Sequence, residues 1–260
     1  MNDMSDKKGG RGLFLGFDLA MASAGRRGRT WNLTVVEAAQ TASRMRTISF
    51  TGPDLGELDW RPGQDLVLSL PQPDGGIARR HYTIRDFNTA AQRLDIDFVL
   101  HGDSPAGRWA VAAQPGEAIE AQGPRGRTRI TEGADWRLFV GDETALPAIF
   151  AMAESLPAGA SATALIEVDG PSDVQPLASP AGVAVEWLFR RGAPAGPSAI
   201  LLDRLSALAP SPRGAHAYIL GETSNVRAQR HYLLSRGFER DQITAEGYWR
   251  PGRVGGHDHV

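Results

Sequence analysis

The run Arg80-His81-Tyr82-Thr83-Ile84-Arg85 gathers the side chains of this chain best suited to act together on a ligand. Read as a strand, it turns Arg80, Tyr82 and Ile84 to one face and His81, Thr83 and Arg85 to the other, because successive side chains alternate. Two guanidinium forks suit phosphate oxygens, a phenol ring suits stacking, and a hydroxyl beside backbone groups suits a ring heteroatom. Together these meet the needs of a flavin dinucleotide. A solvated edge strand is the competing reading of the same residues, so the surrounding elements carry the decision.

Short strands surround the run. Trp31 to Glu37, Arg44 to Thr51, Gln64 to Leu70, Leu94 to Leu100 and a segment between Gly116 and Gly123 alternate apolar and polar residues, with turn residues such as Arg61-Pro62-Gly63 and Pro71 to Gly76 between them. Six strands at this spacing predict a small, closed or nearly closed β-barrel. One short helix is expected at Pro105 to Ala113, after His101-Gly102-Asp103-Ser104. Its start, at Ser104 and Ala106, offers free backbone N–H groups to an anion such as a pyrophosphate, although most helix starts bind only water.

The text changes near Glu132 to Asp135. Beyond it apolar runs (Leu138 to Val140, Ala164 to Val168, Val183 to Phe189, Ala217 to Leu220) alternate with helical stretches (Ala145 to Leu156, Ile200 to Leu208, Asn225 to Ser235), and Ile243 to Trp249 reads as a closing strand. Such alternation predicts βα units around a parallel sheet covered on both faces. Asp142 or Thr144 is expected to cap the first of these helices, Thr223 or Ser224 the last, and Gly237 to end that last helix. The expected organisation is a mobile tail over 1–25, a barrel domain over 26–132, an α/β domain over 133–253 and a mobile tail over 254–260.

Composition narrows the chemistry. The chain has 260 residues, 42% hydrophobic and 22% charged, with a formal net charge of -2, which argues against a general nucleic-acid binder. Having no cysteine, it has no disulfide, thiolate nucleophile or cysteine-ligated zinc or iron-sulfur centre, so redox chemistry requires a borrowed cofactor. No stretch approaches the roughly 20 apolar residues that span a bilayer. A cytoplasmic protein without membrane insertion is expected, and the C-terminal His257 and His259 are assigned no metal.

The Arg80 run resembles the Arg-x-Tyr-Thr/Ser-x-Arg flavin signature of the ferredoxin reductase superfamily, and more narrowly that of siderophore-interacting proteins. Three further stretches resemble the same family, in its order. They are Asp97 to Gly102 with Pro105 to Ala110 and Gly123-Pro124-Arg125-Gly126; Gly141 to Ile149; and Gly221-Glu222 leading through Arg227, Arg230 and Tyr232 to Gly247-Tyr248-Trp249-Arg250. Two differences stand out. The turn before Pro105 is shorter than the family's and carries Ser104 where glycine is usual. No Gly-x-Gly-x-x-Gly follows the Leu138 strand, and Gly141-Asp142-Glu143-Thr144 takes its place.

The resemblance implies a Greek-key-like flavin-binding β-barrel followed by a parallel-sheet α/β domain for the nicotinamide nucleotide. It implies FAD and NADPH as cofactors, with NADH as the alternative donor, and a ferric siderophore as substrate of a monomeric reductase. Arg80 would grip the flavin phosphate, Tyr82 would stack on the isoalloxazine, Thr83 would bond near its reactive nitrogen, and His81 and Arg85 would extend the network. Val99, His101 and Asp97 would face the flavin, Asp97 having a solvated face as its other reading. Trp109 would lie under the adenine or fill the barrel core. Glu143, Thr144 and Glu222 would sit where nicotinamide and flavin meet, the glutamates also being favourable charges at helix starts. Tyr248 and Trp249 would cover the flavin or close the sheet. Arg190 and Arg191 would meet a 2′-phosphate, with a pair of solvated loop arginines as the other reading. Arg125, Arg127, Arg129 and Arg250 would form a cationic lip for an anionic chelate, with an interdomain linker whose arginines pair with acids of the second domain as the other reading of the first three. The alternatives are a reductase of a protein carrier or small quinone, and a flavin-free binder of ferric chelates.

Overall fold

The computed structural model describes residues 28–101, 104–252 and 258–259. The expected N-terminal tail, His257 and the turn residues Gly102 and Asp103 lie outside the described residues.

Alternation builds the first half. Strands β1 (Thr30–Ala42), β2 (Met45–Thr51), β3 (Asp65–Pro71), β4 (Ile77–Asn88), β5 (Arg93–Val99) and β6 (Ala118–Arg125) close an antiparallel barrel in the order β1-β2-β5-β4-β3-β6. The links from β2 to β3 and from β5 to β6 pass over neighbouring strands, which makes the arrangement Greek-key-like. Leu66, Leu68 and Leu70 of β3 and Leu94, Ile96 and Phe98 of β5 are fully buried inside. Truncating one of them, such as Leu68→Ala, costs about 2–5 kcal/mol through lost transfer energy and the cavity left behind. Helix α1 (Pro105–Ala112) lies in the β5 to β6 link and packs Ala106, Trp109 and Ala110 onto the barrel core.

The second half is a six-stranded sheet ordered β12-β11-β10-β7-β8-β9, formed by β7 (Trp136–Asp142), β8 (Ser161–Val168), β9 (Gly182–Phe189), β10 (Ala215–Glu222), β11 (Ile243–Trp249) and the short β12 (Asp258–His259). All pairs are parallel except β11 with β12, which joins residues expected in a terminal tail to the sheet edge. Each strand sends alternate residues to opposite cores. Phe139 and Tyr218 meet α2 (Leu146–Glu154) on one face, while Leu138, Val140, Ala217 and Ile219 meet α3 (Ile200–Leu208) and α4 (Thr223–Ser235) on the other. The β8 to β9 link has no α-helix among the described residues; Pro171, Pro176 and Pro180 withhold donors there, and one 3-10 turn (Pro171–Asp173) suffices.

Two expected caps are corrected. Asp142 does not cap α2; its carboxylate accepts from the Thr144 backbone N–H at 2.9 Å and from the Thr144 hydroxyl at 2.5 Å, bracing the turn before the helix. At α4 the N-cap is Glu222, which accepts from the Asn225 N–H at 2.8 Å, because the helix begins at Thr223, one residue earlier than a Thr223 cap requires and two earlier than a Ser224 cap requires. Gly237 follows α4 with φ of 90°, as expected of a helix-terminating glycine.

The halves are joined by polar contacts. Arg85 of β4 forks onto Glu154 of α2 at 2.6 and 2.8 Å, and its guanidinium lies 5.5 Å from the Phe150 ring centroid. Asp173 accepts from the Ser43 hydroxyl at 2.8 Å and the Arg44 N–H at 3.0 Å, and Thr128 donates to Glu246 of β11 at 2.7 Å.

Candidate functional site

Strand β4 pairs with β3 from Ile77 to Thr83 but with β5 only from Ile84 onward, the last pair being Ile84 with Ile96. The barrel wall therefore parts between Arg80–Thr83 and Asp97–Val99. A cavity of about 440 Å³ occupies this opening and extends to the C-terminal ends of the second sheet. That size lies within the range of small-molecule sites.

From the barrel, the cavity is lined by Arg80, His81, Tyr82, Thr83, Asp97 and Val99, joined by His101, Ser104 and Ala106 at the start of α1. Tyr82 rests on Phe98 with ring centroids 4.2 Å apart, which fixes its ring plane, and burial pushes its hydroxyl pKa up against a smaller opposing effect of Arg80. Ser104 takes an extended conformation and its hydroxyl accepts from the Gly107 N–H at 3.1 Å, so the serine that replaces the usual glycine serves as the N-cap of α1. Asp97 is buried. Its carboxylate accepts from Thr47 at 2.6 Å, yet burial raises its pKa, with Thr47 and Arg85 opposing. The solvated-face reading of Asp97 is thereby corrected, since β2 covers it. Burial lowers the pKa of His101, and Arg44 adds to that.

From the second half, Thr144, Pro147, Glu246, Tyr248, Trp249 and Arg250 complete the lining. Asp142 organises this wall. One carboxylate oxygen holds the Thr144 turn, and the other accepts from the Glu222 backbone N–H at 2.8 Å and the Trp249 indole N–H at 2.9 Å. The ends of β7, β10 and β11 are thus tied to one carboxylate at the reversal of strand order, the place where open α/β sheets bind ligands. Gly141 and Gly221 make room for this arrangement. A Cβ on Gly141 would stand 2.9 Å from the Leu220 carbonyl oxygen, and one on Gly221, whose φ is +124°, would stand 2.6 Å from the Asp142 carboxylate. Burial, reinforced by Glu246 and Asp65 and opposed by Thr83, pushes the Tyr248 hydroxyl pKa well up.

Several residues expected at the site are elsewhere. Arg85 is committed to Glu154 and does not line the cavity, because it points to the α2 side of β4. Trp109 fills the barrel core, stacked on Phe50 with centroids 6.3 Å apart and tilted against Phe98 at 5.5 Å. Arg190 is buried beneath the strand ends. It forks onto Glu143 at 2.5 and 2.8 Å and reaches Glu167 at 3.4 Å, so it is not a loop arginine waiting for a phosphate. Glu143 faces that arginine and not the cavity, and burial raises its pKa, with Arg190 opposing. Glu222 is buried at the start of α4 with one carboxylate oxygen lacking a hydrogen-bond partner, and it too is absent from the lining. Arg191, with φ of 55°, is exposed beside the buried pair. The arginines Arg125, Arg127 and Arg129 share no strand face. β6 ends at Arg125, Gly126 takes φ of 96° and Thr128 turns inward, so none of the three lines the cavity.

Asp65 and Asp142 escaped the sequence reading. Asp65 heads β3, and its partner becomes visible only once β3 and β4 are set in register; Asp142 is legible as a cap candidate and as part of the Gly141 stretch, but not as the carboxylate that ties three strand ends together.

Comparison with known proteins agrees with this geometry. Residues 134–252 match the family described as siderophore-interacting protein, and residues 70–128 match the siderophore-interacting FAD-binding domain. The chain is 31% identical over 246 residues to the ferric vibriobactin reductase ViuB of Vibrio cholerae, covering 85% of this chain and 89% of that protein. It is 30% identical over 244 residues to the NADPH-dependent ferric-chelate reductase of Escherichia coli, covering 84% and 91%. The crystal structure of a siderophore utilization protein from T. fusca superposes with a TM-score of 0.80 at 34% identity, covering 87% of this chain and 94% of that one. With a barrel and a parallel sheet meeting at one cavity and relatives matched over most of their length, the chain belongs to the siderophore-interacting protein family.

Proposed function

We propose that this chain is an FAD-dependent reductase that passes electrons from a nicotinamide nucleotide to Fe(III) held in a siderophore, releasing Fe(II). One observation carries the reading: Arg80, Tyr82, Thr83 and the start of α1 face the same cavity as Thr144, Tyr248 and Trp249. The residues fit a flavin dinucleotide. Arg80 supplies a guanidinium for phosphate, the α1 start supplies backbone N–H groups beside it, Tyr82 presents a braced ring, and Thr83 presents a hydroxyl. When bound, the flavin takes up two electrons from the nicotinamide and releases them singly to iron. Around it, Trp249 and Thr144, held by Asp142, form the wall against which the nicotinamide is oriented, and Arg80 and Arg250 attract an anionic chelate. The relatives named ferric reductases support the same chemistry.

Of the two arginines after β9, only Arg191 is left to favour NADPH over NADH, since Arg190 is sequestered. The preference for NADPH therefore rests on Arg191 and should shrink in Arg191→Ala. The deciding experiment is anaerobic oxidation of NADPH and of NADH by the flavin-loaded protein with a panel of ferric chelates and a ferrous trap. Ferrous product from at least one chelate is expected. Dye reduction with no ferrous product from any chelate would refute the function.

A further inference from the structure

Asp65 and His81 have no part in the electron transfer proposed above, yet both line the cavity. Strands β3 and β4 pair Asp65 with Thr83 and Val67 with His81, which sets the Asp65 carboxylate diagonally opposite the His81 ring. The carboxylate oxygen lies 2.6 Å from Nδ1. Gly126 passes close to the carboxylate's other oxygen, from which a Cβ at that position would stand only 2.8 Å away. The carboxylate side chain is 8% exposed and the imidazole 27%, so the acid is sequestered while the ring keeps a face toward the cavity. Such a pair fixes the ring's orientation and makes Nε2 the site of proton exchange. The charged and titratable groups lining the cavity around His81 are Asp65 from β3, Asp97 from β5, His101, Glu246 and Tyr248 from β11 and Arg250, with Arg80 on its own strand.

Reduction of an oxygen-ligated ferric ion calls for such a donor. One electron converts Fe(III) to Fe(II), an Fe–O bond breaks, and the oxygen keeps the bonding pair. For a catecholate that oxygen is basic and takes up a proton. We infer that His81 donates this proton from Nε2 to the departing chelate oxygen, that Asp65 positions it, and that the substrates so favoured are catecholates. This rests on the ferric-chelate reading above. The O–H bond forms as the Fe–O bond is lost, the electron comes from the reduced flavin, and the neutral imidazole recovers its proton from solvent.

The test uses the full flavin-loaded chain with a reduced nicotinamide dinucleotide and two acceptors, a hexadentate ferric tris-catecholate and ferricyanide, which takes an electron without a proton. The ratio of the two rates on one sample cancels differences in flavin content and in flavin reduction. In the parent the ratio should fall as pH rises, as expected of a step that needs a general acid. In His81→Gln it should be at least about tenfold lower at pH 6 and lose that slope, as expected when a general acid is removed. Asp65→Asn should give an intermediate ratio. A His81→Gln protein that keeps the parent ratio and slope overturns the assignment. A parent that reduces ferricyanide but no ferric chelate overturns the proposed function itself, and the proton donor with it.

Discussion

Glu143 and Glu167 share the guanidinium of Arg190, and all three side chains are buried. Two carboxylates against one cation leave a surplus negative charge, which Ser198 relieves in part by donating to Glu167 at 2.9 Å. Burial raises both carboxyl pKa values, with Arg190 opposing in each case. A carboxyl whose folded pKa lies above its unfolded value binds more protons folded than unfolded between the two, so stability falls as pH rises through that window. Glu167→Gln removes the surplus charge while Glu143 keeps Arg190 paired. It should therefore melt higher than the parent at pH 7, and the gap should narrow as pH falls toward the unfolded glutamate value of about 4.3. Thermal melts between pH 4 and 8 check this. Arg190→Ala does the reverse. It strands two buried carboxylates, should cost about 3–5 kcal/mol and should lower the melting temperature by roughly 10 °C.

Strand β4 divides its work between its ends. Near Arg80 it stands at the parted wall of the cavity, and at Arg85 it binds α2 through Glu154 and Phe150. The two arginines of one signature therefore serve different ends. Charge-assisted hydrogen bonds are worth about 1.5–3 kcal/mol, so Arg80→Ala should weaken flavin binding by roughly tenfold to a hundredfold. Arg85→Ala should change flavin affinity far less and instead lower the melting temperature, because the barrel loses its fork onto α2. Flavin fluorescence titration and calorimetry on both variants separate the two roles. Equal loss of flavin affinity in both would contradict the division.

With a net charge of -2, the protein attracts anions only where cations cluster. At the cavity those cations are Arg80 and Arg250, while Arg125, Arg127 and Arg129 lie along the chain between the halves, outside the cavity lining. The KM for an anionic ferric chelate should rise with salt as this attraction is screened over about 10 Å at 0.1 M. Arg250→Ala should raise that KM with little change in kcat, the signature of lost uniform binding. Replacing Arg125, Arg127 and Arg129 together should have the smaller effect, and steady-state kinetics at two salt concentrations compare the variants.

Local pattern alone was enough for the main elements up to β11, though not for β12. Period-two alternation at Leu66, Leu68 and Leu70 and at Leu94, Ile96 and Phe98 is a property of each strand, and the buried faces follow from it wherever the strand is placed. The same holds for α3 and β11, whose spans match the expected ones. Resemblance added the flavin strand, whose Arg80, Tyr82 and Thr83 do face one cavity. Partnership is another matter, because a charged side chain reads the same in sequence whether it meets solvent, a ligand or an opposite charge. Only the stacking of β7, β8 and β9 brought Arg190 between Glu143 and Glu167, only the contact of α2 with β4 drew Arg85 to Glu154, and only the β3–β4 register set Asp65 against His81. Those pairings join residues 16 to 69 positions apart, so tertiary packing, not local pattern, determined which charges stayed available for function.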